Sequence, residues 1–130
     1  MVASSRTFTT IQQGNQVMTW LEPSPADRTV FTLPLNAKII SITERHSTAA
    51  SDGGAVSMQV RNVSPGQALA NGTDMLPTPF DMKGAADVPQ NRDVNPATAD
   101  CVAGTALALD YTGTLTDLAN VSVAVVYQLL

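Results

Sequence analysis

From Val121 to Leu129 the odd positions, Val121, Val123, Val125, Tyr127 and Leu129, are large and apolar, and the even ones are mostly small or polar. A period of two is the mark of a β-strand with one packed face. The same alternation recurs upstream. Phe31, Leu33 and Leu35 share one phase in Thr29–Leu35, where Pro34 argues for a strand end or an edge. Ile39, Ile40 and Ile42 make Ala37–Arg45 a β-branched run typical of a buried strand, with Asn36 as the turn before it. Ser51-Asp52-Gly53-Gly54 is a turn signal. It leads into Ala55–Val63, where Val56, Met58 and Val60 alternate with Ser57, Gln59 and Arg61. Ala99–Asp110 and Leu118–Leu129 complete the clear strands, around a bend at Tyr111–Leu115. No helical period competes with these. The pattern predicts an all-β fold, an antiparallel β-sandwich or jelly roll of about seven or eight strands.

Two stretches depart from the alternation. Residues 1–28 are rich in Thr and Gln, and end at Glu22-Pro23-Ser24-Pro25. They read as an extended N-terminal arm or edge segment, with a strand near 16–21, ahead of a sandwich domain at 29–130. Residues 64–99 hold Pro65, Pro77, Pro79, Pro89 and Pro96 together with Gly66, Gly72 and Gly84. Short strands are expected there at 67–69, 74–76 and 80–83, and irregular chain from 85 on. Long irregular segments in compact domains are often functional, so this loop region is a candidate contact surface.

Composition narrows the function. The chain has 130 residues, enough for one domain with its own core. Only 14% of residues are charged, against about 25% in a typical globular chain. A surface so poor in charge suits packing against other subunits. The net charge is −4 and the seven basic residues are scattered, which argues against nucleic acid. No apolar run has the length of a membrane span, and the start lacks the pattern of a secretory signal, so synthesis in a cytoplasm is expected. Aromatic residues are 5% of the chain. Phe8, Trp20, Leu21, Phe80 and Met82 lie in the arm and loop stretches, where an apolar side chain needs a cover. These are the candidate subunit-contact residues.

Catalytic chemistry is sparse. His46, between Arg45 and Ser47, reads as a surface or loop histidine, and one histidine makes neither a His-rich metal site nor a well-supplied triad. Cys101 is alone and beside Val102, an inert buried thiol. Asp93-Val94-Asn95 with Asp100 has oxygen ligands but lacks the residues of a calcium loop at 97 and 98, so these side chains are expected in turns. Asp100, Asp110 and Asp117 give no sign of a cleft that would set two carboxyl groups apart. No phosphate-binding glycine loop and no Gly-x-Ser-x-Gly elbow is present. Asn62-Val63-Ser64, Asn71-Gly72-Thr73 and Asn120-Val121-Ser122 match the glycosylation pattern as chance does in a chain rich in these residues. The expectation is a protein without cofactor, metal or enzymatic activity.

The order of these segments carries a resemblance. Thr-Val-Phe-Thr-Leu-Pro-Leu at 29–35 leads to Ala-Lys-Ile-Ile-Ser-Ile at 37–42 and Val-Ser-Met-Gln-Val at 56–60. Ala-Gly-Thr-Ala-Leu-Ala-Leu-Asp at 103–110 follows, and Val-Ser-Val-Ala-Val-Val-Tyr at 121–127 closes the series. In this order the chain resembles small capsid decoration (cement) and head-fibre-type proteins of tailed bacteriophages. The resemblance implies a structural subunit on the outside of a virion shell. Its partners would be the major capsid protein and copies of itself, commonly as a homotrimer, with no catalytic residues. The alternative is a tail or fibre module that binds a cell-surface glycan. It would show an exposed aromatic cluster or a cation site within 64–99.

Overall fold

A computed structural model describes the backbone of residues 9–12 and the whole of residues 15–130. The strands are β1 (Thr9–Gln12), β2 (Asn15–Glu22), β3 (Arg28–Thr32), β4 (Ala37–Thr48), β5 (Ser57–Val63), β6 (Thr73–Asp74), β7 (Phe80–Asp81), β8 (Gln90–Asp93), β9 (Asp100–Cys101), β10 (Ala106–Thr112) and β11 (Ala119–Leu129). Two 3-10 turns lie at Leu69–Asn71 and Pro96–Thr98, and no α-helix occurs among the described residues.

The strands form two antiparallel sheets. The first runs β1-β2-β11-β4, with β8 and β9 sharing the far edge of β4. The second runs β3-β10-β5, with β6 and β7 sharing the far edge of β5. Counting β6 with β7 and β8 with β9 as single positions leaves β2, β11, β4 and β8/β9 in one sheet, and β3, β10, β5 and β6/β7 in the other. From β2 to β5, and again from β8 to β11, the chain changes sheet at each such step. This is the strand order of a jelly roll, with β1 added at the edge.

The alternation seen in sequence is the packing pattern. On β11, Val121, Val123, Val125 and Tyr127 are buried between the sheets, while Ser122, Ala124 and Val126 lie half-buried on the outer face. Opposite them, Leu107, Leu109 and Tyr111 of β10 and Met58 and Val60 of β5 line the second sheet. Two bulges explain where strict alternation fails. Val126 pairs with Ser41 but Tyr127 with Ile39, so Ile40 is the extra residue, and Ile39 and Ile42 both face inward. Leu107 pairs with Phe31 but Ala108 with Thr29, so Val30 is extra, and both Val30 and Phe31 are buried.

Three segments differ from the sequence expectation; the first is 67–69, expected as a short strand, which holds none and runs into the 3-10 turn Leu69–Asn71. Residues 15–22, read as part of an arm or edge segment, form β2, which is hydrogen-bonded to β1 on one side and β11 on the other. The strand expected near 16–21 is this one. Residues 90–93, expected to be irregular, form β8 on the open edge of β4. Gln90-Asn91-Arg92-Asp93 has no apolar alternation because an edge strand with a solvated side needs none. The prolines of 64–99 act as punctuation. Pro77 and Pro79 separate β6 from β7, Pro89 precedes β8, and Pro96 opens the second 3-10 turn. Proline donates no backbone hydrogen bond, so long strands cannot run through this region.

Candidate functional site

The phase that buries Ile42 on β4 also buries Glu44 and His46. Both are fully enclosed between the sheets. Cross-strand pairing sets Glu22, Val121 and His46 in one row of the inner face, and Trp20, Val123, Glu44 and Gln90 in the next. One end of the sandwich interior is therefore polar. His46 Nδ1 lies 2.8 Å from Glu44 Oε2, and His46 Nε2 lies 2.9 Å from the carbonyl oxygen of Gly84. Gln90 Nε2 donates to Glu44 Oε1 at 2.8 Å. Burial pushes the Glu44 carboxyl above the usual carboxylate range, and the hydrogen bond and charge of His46, with Gln90 and Arg92, pull it partly back.

The second buried acid, Glu22, is met by Arg28 Nε at 3.0 Å. Burial raises its carboxyl, and Arg28 and the Trp20 indole N–H oppose the rise. The Tyr111 hydroxyl has no hydrogen-bond partner among the described residues. Its burial, reinforced by the charges of Glu22 and Glu44, pushes the phenol far above its ordinary value. These groups form a structural polar core. His46 has both ring nitrogens engaged and no exposed surface, so a substrate has no route to it. The expected surface or loop histidine is thus a buried one. The alternation starting at Ile42 carries that information; the polar neighbours Arg45 and Ser47 obscure it.

The other acids make local contacts. Arg61 holds Asp74 at 3.1 Å and Asp110 at 3.0 Å on the outer face of the second sheet. Asp117 accepts from the Ser51 hydroxyl at 2.6 Å, and Asp100 stands on β9 in register with Lys38. Asn95 accepts from the Ala97 N–H at 3.2 Å, the turn role expected of it. Among the described residues no cluster of three or more His, Cys, Asp or Glu side chains is placed to hold a metal ion. No described helix is long and apolar enough to cross a membrane.

The contact candidates fall into three groups. Phe80 and Met82 are fully buried in the core, which corrects their reading as contact residues. Phe80 packs from β7 beside Met58 under the Arg92 guanidinium, 5.4 Å from its ring centre. Its period-two spacing to Met82 was the sign that both turn inward. Trp20 is partly buried against the core, and Leu21 is exposed on the outer face of the first sheet, in register with Ser122. Phe8 lies outside the described residues. The aromatic ring of the 64–99 region is therefore an interior one and offers no stacking surface to a glycan.

Four of the exposed apolar side chains gather elsewhere, apart from Leu21 and Val88. Leu35 is 56% exposed, Val102 60%, Leu129 44% and Leu130 71%. All four stand at the end of the sandwich opposite the polar core, and Asn36 ties their backbones together. Its side-chain oxygen accepts from Ala103 N–H at 2.8 Å, and its carbonyl accepts from Leu130 N–H at 3.0 Å. Leu129 pairs with Ala37, the next residue along. Sequence reading assigned Leu35 and Leu129 to packed strand faces. Leu35 escapes because Pro34 ends the pairing of β3 before it.

No family model and no curated protein matches the chain. Among solved structures, its fold matches a chain described as "Cyanophage Pam1 capsid asymmetric unit", with a TM-score of 0.58 and 14% sequence identity, over 100% of this chain and 93% of that one. At that identity the likeness is one of fold.

Proposed function

We propose that this chain is a structural virion protein, a capsid decoration subunit that sits on the outside of the shell and braces capsomer junctions. Its partners are the major capsid protein and copies of itself in a homotrimer, and it reaches the particle from the host cytoplasm. The fold supports the reading, since the chain matches in fold a chain described as part of a cyanophage capsid asymmetric unit, over nearly the full length of both.

The observation that carries the proposal is the apolar end around Asn36. Leu35, Val102, Leu129 and Leu130 face outward together on a chain with few charges. An end of four side chains falls well short of the ~800 Å² per partner that a stable pairwise complex buries. Such a contact is weak alone and strong when repeated. Copies linked to one another and seated on a lattice gain the effective concentration that a single contact lacks. The jelly roll holds the end rigid, because β4, β9 and β11 all terminate there in hydrogen-bonded register.

The test is co-sedimentation of the purified protein with shells that lack decoration. The pair Leu35→Lys and Val102→Lys should abolish binding while far-ultraviolet circular dichroism and melting temperature stay near those of the unmodified chain. Undiminished binding by this variant would overturn the assignment of the apolar end.

A further inference from the structure

The hydrogen-bond network around His46 fixes its proton count. The carbonyl of Gly84 can only accept, so His46 Nε2 carries a hydrogen. Asp81 N–H donates to Gln90 Oε1 at 3.0 Å, which identifies the other end of that amide as its NH2 group. That NH2 donates to Glu44 Oε1 at 2.8 Å and to the Asp81 carbonyl at 2.7 Å. Glu44 Oε1 is therefore bare. The 2.8 Å contact between His46 Nδ1 and Glu44 Oε2 then needs one proton between them, and has room for one only. With none, a lone pair faces a carboxylate. With two, both partners are donors.

This pair also holds a turn. Residues 82–89 connect β7 to β8 and are tied to His46 twice: its ring binds Gly84 O, and its carbonyl accepts from Asp87 N–H at 2.8 Å. Asp87 adopts a left-handed backbone at φ 61 and meets Arg45 at 3.5 Å on the outside, and Val88 beside it is half exposed. We propose that the Glu44–His46 pair is a one-proton latch, which fixes the 82–89 turn to the first sheet within a pH window and releases it on either side. The groups that face the pair are Arg92 from β8, Tyr111 from β10 and Glu22 from β2, the last across Val121. Asp81, on β7, reaches it through Gln90. Arg92 favours the charged Glu44. The latch is a property of the isolated chain and stands apart from the virion reading.

Glu44→Gln tests it. The introduced amide donates from its nitrogen to His46 Nδ1 and accepts from Gln90 through its oxygen, which reproduces the one-proton arrangement without a proton to lose. His46→Gln removes the ring bond to Gly84. The readout is amide hydrogen exchange at Gly84 and Asp87 from about pH 4 to about pH 9, a range spanning the ordinary Glu and His values, referenced to the amides of Val123 and Val125 on β11. The unmodified chain should show greatest protection in mid-range, with a loss of about tenfold or more at both ends, the size expected for a broken buried charged hydrogen bond. Glu44→Gln should keep its protection to the alkaline end, where the unmodified chain loses it, because the amide has no proton to give up, and His46→Gln should show low protection throughout. A Glu44→Gln profile that follows the unmodified chain would overturn the latch. So would a folded His46→Gln chain with normal Asp87 protection. If His46→Gln fails to fold, the Glu44→Gln comparison decides alone.

Discussion

Trp20 on β2 meets Phe31 on β3 edge to face, with ring centroids 6.2 Å apart and planes at 74°. Each ring comes from a different sheet, so the contact clamps the sandwich near its polar end. The geometry is the favoured one for an aromatic pair. Trp20→Ala should cost about 2–4 kcal/mol, less than a fully buried tryptophan because its edge is partly open. Urea unfolding of the variant measures this. A loss near zero would return Trp20 to the outer surface.

Gly113 occupies the turn after β10 with φ +97, a region that side chains strain to adopt. A Cβ placed there would collide with the carbonyl oxygen of Ala55. Gly113→Ala should therefore destabilise the fold by about 1–3 kcal/mol, through left-handed strain and backbone displacement together. Thermal melting should show the drop, whereas the same change at Gly53, which has open space around it, should leave the melt nearly unmoved.

Burial of Glu22 raises its carboxyl above the ordinary value of 4.5. The folded state thus binds the proton more tightly than the unfolded chain. The stabilisation is complete below the unfolded value and is lost as pH rises through the folded one. Glu22→Gln removes this titration and retains an acceptor for Arg28. Its stability relative to the unmodified chain should improve as pH rises from about 4.5 towards neutrality, as read by denaturant midpoints. A relative stability that worsens over that interval would show the Arg28 ion pair to outweigh desolvation.

Cys101 is buried on β9 and its thiol is pushed up to about 11, first by burial and then by the charge of Asp100. The thiolate is the reactive form, so the native thiol should resist iodoacetamide at pH 8 and react promptly in denaturant. Fast labelling of the native chain would mean that the β9 edge opens readily.

The jelly roll was legible because its central strands bury one face only. Val121–Tyr127 and Val56–Val60 state their phase in plain alternation. The bulges at Ile40 and Val30 were not legible, since a two-versus-one pairing is set by the partner strand. His46 was misread because polarity outweighed phase: in step with Ile42 and Glu44, it belongs to the buried face. Phe80 and Met82 were misread for the opposite reason. Prolines on each side made their segment look like surface loop, yet the short β7 and the backbone bonds of Met82 to Val56 and Ala50 turn both side chains inward. The apolar end was invisible because it assembles Leu35, Val102 and Leu129 from three distant segments through the hydrogen bonds of Asn36.

The place proposed for this jelly roll is the outside of a virion shell. Electron cryomicroscopy of intact particles, with the chain fitted into density, tests it most directly. Density is expected for on the order of hundreds of copies, a multiplicity at which lattice avidity acts. They should stand in threes at symmetric positions on the shell exterior, with the Leu35–Val102–Leu130 end towards the major capsid protein. A handful of copies confined to the tail, or none on the particle, would contradict it.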